Sequence, residues 1–184
     1  MAWAPVKILL TGPPGCGKTT VLERVAVALS GKLRVAGFLT RELRQEGRRV
    51  GFQIEGFRGT RALLAHVDIA SPIRVGKYGV DLKALEDAVR RELIAGNIGV
   101  DVFLIDEIGK MECASNLFMH SIELLLRDPR PLVATIAAEG PEFVHKVKHW
   151  PGIELQVVNA SNRDDLPGWL ASRLLVHFGA SKRR

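Results

Sequence analysis

Residues 9–20 read LLTGPPGCGKTT, and this stretch decides the fold. Gly12, Gly15, Gly17, Lys18 and Thr19 match the pattern G-x-x-x-x-G-K-[ST], with Pro13, Pro14 and Cys16 at variable positions and Thr20 directly after. The surroundings are those the pattern needs. The apolar run VKILLTG (6–12) reads as a buried strand, and Val21, Leu22, Val25, Ala26 and Leu29 then recur at helical spacing up to a capping Gly31. Glycines let successive backbone N–H groups curl around phosphate oxygens, and a helix N-terminus adds partial positive charge. Residues 12–20 are therefore expected to hold a nucleotide, with Lys18 on the β- and γ-phosphates and the Thr19 hydroxyl on Mg²⁺. Cys16 is read as filling a variable position of the loop, not as a redox switch.

A second stretch, FLIDEIGKME (103–112), ends a buried strand in two acids. Ligands of open α/β sheets bind outside the carboxyl ends of the strands, so Asp106 is expected beside the loop as a Mg²⁺ ligand. Glu107, one position on, is placed to orient and deprotonate an attacking water. Thr135, near the end of the apolar run PLVATIA (131–137), is the candidate for a polar contact to the γ-phosphate or that water. Asn162 and Arg163 follow the last apolar run, IELQVV (153–158), where a base contact or a plain helix-entry turn both fit. Arg74, Lys77 and Tyr78 in SPIRVGKYGVD (71–81), and Lys110 after the acidic pair, are further candidates to meet phosphate charge. His145 and His149 lie one helical turn apart, but Lys146 and Lys148 beside them oppose a metal, so they read as a solvated face.

Around these motifs, short apolar runs alternate with helical periods, which predicts a mostly parallel sheet with helices on both faces. The runs RVAGFLTREL and RRVGFQIEGF flank a polar RQEG, so residues 34–57 read as an antiparallel hairpin. TRALLAH (60–66) adds a third strand, making 34–66 an insertion beside the parallel sheet, and 71–81 reads as a loop. Helices are expected from Asp81 to Gly96, from Ser115 to Asp128-Pro129, after Gly140-Pro141, and from about Asp165 to Phe178. The chain of 184 residues suits a single domain with one core, 1–184, ending in a basic tail at 181–184.

The composition narrows the function classes. Apolar residues make up 47% and charged residues 25%, the balance of a folded globular chain. No run approaches the roughly 20 apolar residues that span a bilayer, and MAWAPVKILLTG lacks the form of a signal peptide. A cytoplasmic location without membrane partners is expected. Cys16 and Cys113 have no disulfide or zinc spacing. The net charge of +6 suits polyanionic partners, nucleotides included, but no basic run is interleaved with stacking aromatics, so nucleic acid is possible and not favoured. Protein partners are not indicated.

The stretches GPPGCGKTT, GFLTRELR with RVGF, RVGKYGVD, DEIGKME and NRD follow one another in an order that resembles a known family. It is the small archaeal and bacterial P-loop nucleoside-triphosphatases related to the animal cancer-related nucleoside-triphosphatase. The likeness runs from about residue 6 to 175. It implies Mg²⁺-dependent hydrolysis of nucleoside triphosphates to diphosphates with little choice of base, with Lys18 and Thr19 matching the family's phosphate loop and Asp106 and Glu107 its acidic pair. Two other readings stay open beside nucleoside-triphosphatase: a small-molecule or nucleotide kinase with its acceptor site in 34–80, and a nucleic-acid-linked ATPase. Against the kinase stands Glu107, a residue placed to activate water.

Overall fold

The computed structural model describes residues 5–93 and 99–181. The chain runs β1 (Lys7–Thr11), α1 (Lys18–Leu29), β2 (Val35–Gln45), β3 (Arg48–Gly56) and β4 (Arg61–His66), then β5 (Arg74–Val75), β6 (Tyr78–Val80) and α2 (Leu82–Glu92). There follow β7 (Val102–Ile108), α3 (Asn116–Arg127), β8 (Leu132–Ile136), α4 (Glu142–Lys148), β9 (Glu154–Val157) and α5 (Leu166–Ser181). All nine strands among the described residues join one sheet, in the order β5-β6-β4-β3-β2-β7-β8-β1-β9. The half from β2 to β9 is parallel, and the half from β3 outward is antiparallel.

Continuous apolar runs become strands because both faces of the parallel half are covered. Successive side chains of a strand point to opposite faces, and the core divides accordingly. Leu9, Phe103 and Ile105 pack with Leu85 and Val89 of α2, Phe118 and Ile122 of α3, and Val144 of α4. Ile8, Leu10, Val102 and Leu104 pack with Val21, Leu22 and Val25 of α1 and with Leu170 and Leu174 of α5. Each such side chain, taken fully from water, contributes roughly 1.5–3 kcal/mol before chain entropy is counted. Lys7 is the charged residue of β1: buried, its Nζ donates to the carbonyls of Leu125 (2.5 Å) and Arg130 (2.7 Å). Burial pulls its pKa down to about 8, with Asp128 opposing the fall.

The helix signals act as read at two N-termini. The Asp81 carboxylate accepts from the Ala84 N–H (2.9 Å) and the Ser115 hydroxyl from the Phe118 N–H (3.1 Å). The expected end of α2 at Gly96, and residues 182–184 of the basic tail, lie outside the described residues. Among those described, no helix is long and apolar enough to cross a membrane.

β2 and β3 turn at Glu46 and Gly47, both with positive φ (48° and 77°), the backbone of a tight two-residue hairpin. The segment 71–81, expected to be a loop, instead holds β5 and β6, a second tight hairpin in which β6 pairs with β4 through Ala65↔Val80 and His66↔Gly79. Strands of two and three residues are too short to show a period. The junction between the two halves is tight at Gly37 of β2. Its φ is 105°, and a Cβ there would lie 2.0 Å from the Leu104 carbonyl oxygen.

Candidate nucleotide site

The loop between β1 and α1 is shaped by its neighbours. Gly12 has φ 146°, and a Cβ would stand 2.7 Å from the Val158 carbonyl oxygen just past β9, so only glycine fits. Cys16 Sγ fills the space beside it, 2.9 Å from the same position. Lys18 Nζ crosses the loop and donates to the carbonyls of Gly12 (3.0 Å) and Pro13 (3.3 Å). Gly15, Gly17, Lys18, Thr19 and Thr20 line an open cleft of about 660 Å³ together with Pro14, whereas Gly12, Pro13 and Cys16 lie outside its lining.

Asp106 is the centre of the hydrogen bonding. It is 2% exposed, at the point where the β7–β8 pairing breaks between Ile105 and Ile108. Its Oδ2 accepts from the Thr19 hydroxyl (2.9 Å) and the Thr40 N–H (3.4 Å), and its Oδ1 from the Thr135 hydroxyl (2.5 Å). The Thr40 hydroxyl also donates to the Asp106 carbonyl. Burial raises the pKa of this carboxyl, and the three threonines and the Lys18 charge pull it back. Such donors favour the ionised form.

Glu107 lines the same cleft, half-buried. Burial pushes its pKa above the usual carboxyl value, Lys18 opposes the rise, and the Asp106 charge adds to it. A third acid, Glu112, also lines the cleft, buried and pushed up to about 8 chiefly by that burial. A methyl placed on Gly109 would be 3.2 Å from Oε1 of Glu107 and 3.2 Å from Oε2 of Glu112, so the two carboxyls flank that glycine.

The sequence candidates fare differently. Lys18, Thr19, Asp106 and Glu107 come together. Thr135 does not reach the cleft. It is 0% exposed, level with Leu10 in the sheet, and its hydroxyl is taken up by Asp106 rather than presented to a phosphate. The Asn162 side chain closes its own turn, accepting from the Asn159 N–H (2.9 Å) and donating to the Val157 carbonyl (2.8 Å). Arg163 runs past Gly17, its Cδ 3.6 Å from where a Cβ would stand. The Arg74 guanidinium donates to the Lys77 carbonyl (2.6 Å) inside the β5–β6 turn, and the Lys77 ammonium lies 5.4 Å from the Tyr78 ring centre. Of that segment Val75 faces the cleft, and Lys110 lines it as an exposed cation. His149 Nδ1 stands 2.8 Å from the His145 carbonyl, away from the site.

The sequence offered 34–80 as an acceptor region under the kinase reading, but singled out neither Arg41 nor Arg49. Arg41 forms ion pairs with Glu55 (3.0 Å) on β3 and with Glu23 on α1. Arg49 donates to Glu42 (2.6 Å) and to the Tyr78 hydroxyl (3.1 Å), and its guanidinium lies 5.2 Å from the Phe52 ring centre. The rings of Phe52 and Tyr78 meet edge to face at 5.1 Å. The only available signal was the hairpin itself, whose alternation puts Arg41 and Arg49 in the sheet without revealing their partners.

The model of a family described as NTPase matches residues 7–170. The chain is 38% identical over 174 residues to the nucleoside-triphosphatase THEP1 of Thermotoga sp. (strain RQ2), covering 95% of this chain and 98% of that one. It is 35% identical over 173 residues to the cancer-related nucleoside-triphosphatase of Homo sapiens, covering 86% and 91%. Its fold resembles the crystal structure of THEP1 from the hyperthermophile Aquifex aeolicus with a TM-score of 0.76 at 32% identity, over 92% of this chain and 99% of that one.

Proposed function

This chain belongs to the NTPase family, and from that premise we propose that it is a Mg²⁺-dependent hydrolase taking ATP, GTP, CTP and UTP to the diphosphate and phosphate. The observation that carries the proposal is the 2.9 Å hydrogen bond from Thr19 to Asp106, which joins two motifs 87 residues apart with Glu107 alongside.

The residues suit Mg²⁺. It is a hard ion that takes oxygen ligands, one or two of them carboxylates, and shares the rest of its shell between phosphates and water. Thr19 and Asp106 offer a hydroxyl and a buried carboxylate side by side, and the Lys18 charge favours the ionised form of that carboxylate. A bound Mg²⁺ would neutralise charge on the β- and γ-phosphates. The loop N–H groups and the Lys18 ammonium bind and orient those phosphates. Glu107 holds the attacking water and takes its proton at a carboxylate oxygen. Its raised pKa makes it a better base than an ordinary carboxylate. Thr135 and Thr40 act through Asp106, holding its oxygens in place.

All of these contacts ignore the base, and Asn162 is occupied by its own turn. The four triphosphates should therefore differ by no more than about tenfold in kcat/KM, roughly 1.4 kcal/mol. The decisive test is Glu107→Gln, followed by single-turnover phosphate release beside equilibrium binding. Positioned general-base catalysis contributes roughly 10²–10⁴-fold, so release should fall by about that factor while affinity persists. Near-normal release from the variant would remove water activation from Glu107.

A further inference from the structure

A triphosphate held by this loop has a direction. If Lys18, Thr19 and Asp106 fix its terminal phosphates, the phosphate chain points from the nucleoside toward Asp106. The sheet order puts β7, with Asp106 and Glu107, on the β2 side of β1, and β9, with the Asn162–Arg163 turn after it, on the other side. The nucleoside therefore leaves toward Arg163, and the γ-phosphoryl group faces β2 and β3.

The cleft continues on that side. Besides Glu107 its lining includes Arg41 and Glu42 of β2, Arg49 and Phe52 of β3, Val75 of β5, and Met111 after β7. Hydrolysis needs room for one water, about 30 Å³, whereas the cleft lining extends past the loop residues 15–20 to Phe52 and Val75. The wall has a definite chemistry. Phe52, Val75 and Met111 are half-buried apolar side chains. Beside them the Arg49 guanidinium is held by Glu42 and Tyr78, 5.2 Å from the Phe52 ring centre. Apolar faces with a few fixed polar groups at the edge describe a small-molecule pocket rather than a water channel.

We propose that this half of the cleft is an acceptor subsite, binding a small alcohol with a ring-sized apolar body whose hydroxyl competes with water for the γ-phosphoryl group. The proposal rests on the hydrolase reading of Lys18, Asp106 and Glu107. In the transfer, the acceptor oxygen forms a bond to the γ-phosphorus and the bond to the β,γ-bridging oxygen breaks. The electron pair leaves with the nucleoside diphosphate, and the hydroxyl proton passes to Glu107.

The test uses the whole chain with Mg²⁺ and ATP, benzyl alcohol and ethanol as probes at equal concentration, and phosphorus NMR to count products. Benzyl phosphate should exceed ethyl phosphate by about tenfold or more, the scale expected from burying an aromatic ring. Val75→Trp, which fills the pocket, and Phe52→Ala, which removes its wall, should each bring that ratio toward one, whatever happens to total turnover. Inorganic phosphate without alkyl phosphate, equal partition between the two alcohols, or a ratio that neither variant changes overturns the subsite alone. Absence of phosphate and alkyl phosphate alike overturns the hydrolase reading, and the subsite with it.

Discussion

Thr135→Val separates two ways in which this threonine can matter. Valine keeps the shape of the side chain and its fit to a strand, and removes only the hydroxyl that donates to Asp106 at 2.5 Å. A hydrogen bond to a charged group contributes about 1.5–3 kcal/mol, and this one is fully buried, so most of that value should be lost. For a chain of this length each kcal/mol moves Tm by about 2–4 °C, giving a fall of roughly 3–12 °C without nucleotide. The carboxylate keeps Thr19 and the Thr40 N–H but loses the partner that fixes Oδ1. The half-saturating Mg²⁺ concentration should then rise about tenfold, the equivalent of about 1.4 kcal/mol, while kcat at saturating Mg²⁺ stays within about threefold. Thr135→Ser should restore both values. Thermal melts and a Mg²⁺ titration of phosphate release make the measurement. An unchanged Tm and Mg²⁺ requirement with a hundredfold loss of kcat would refute the positioning argument and put the hydroxyl on the substrate.

Lys18→Ala should weaken triphosphate binding by roughly 10–100-fold, as expected for losing a charge-assisted contact to two phosphates, and calorimetry showing unchanged affinity in a folded variant would sink the loop assignment. Glu112 binds its proton more tightly folded than unfolded, so its contribution to stability is present below about 4.5 and is lost as pH rises through about 8. Glu112→Gln should therefore melt higher than wild type at pH 8.5, with the gap closing toward pH 5; parallel melting curves across that range would contradict the buried acid. Gly37→Ala meets both a positive φ and a 2.0 Å approach to backbone, and should cost about 4 kcal/mol or more, read as loss of the cooperative melt or of folded protein.

The parallel half of the fold and the main site were legible because their signals are local. A phosphate loop needs its glycines in one run, and an acid that ends a buried strand announces its edge of the sheet. What stayed hidden depends on register. Thr135 sits level with Leu10 and beside the break in β7–β8 pairing, which turns its hydroxyl onto Asp106. Arg41 and Arg49 acquire their partners only once the Glu46–Gly47 turn sets β3 against β2, with Arg41 opposite Gln53 and Glu42 opposite Phe52. Glu112 was visible as a letter in DEIGKME, but nothing in the sequence distinguishes a buried acid there from a solvated one. The β5–β6 hairpin escaped because two residues carry no period.

The position of β1 has a consequence for how the protein is made. Its two neighbours in the sheet are β8 and β9, paired through Lys7↔Leu132 and Ile8↔Glu154. The phosphate loop thus leaves the ribosome well before the segments that complete its surroundings, since Val158, which closes over Gly12, follows β9. At about 5–20 residues per second, the growing chain carries the apolar edges of β1 uncovered for roughly seven to thirty seconds. A nascent chain halted between residues 110 and 150 should therefore be a client for chaperones and unable to hold a nucleotide, although it already contains every residue of the loop and of the acidic pair.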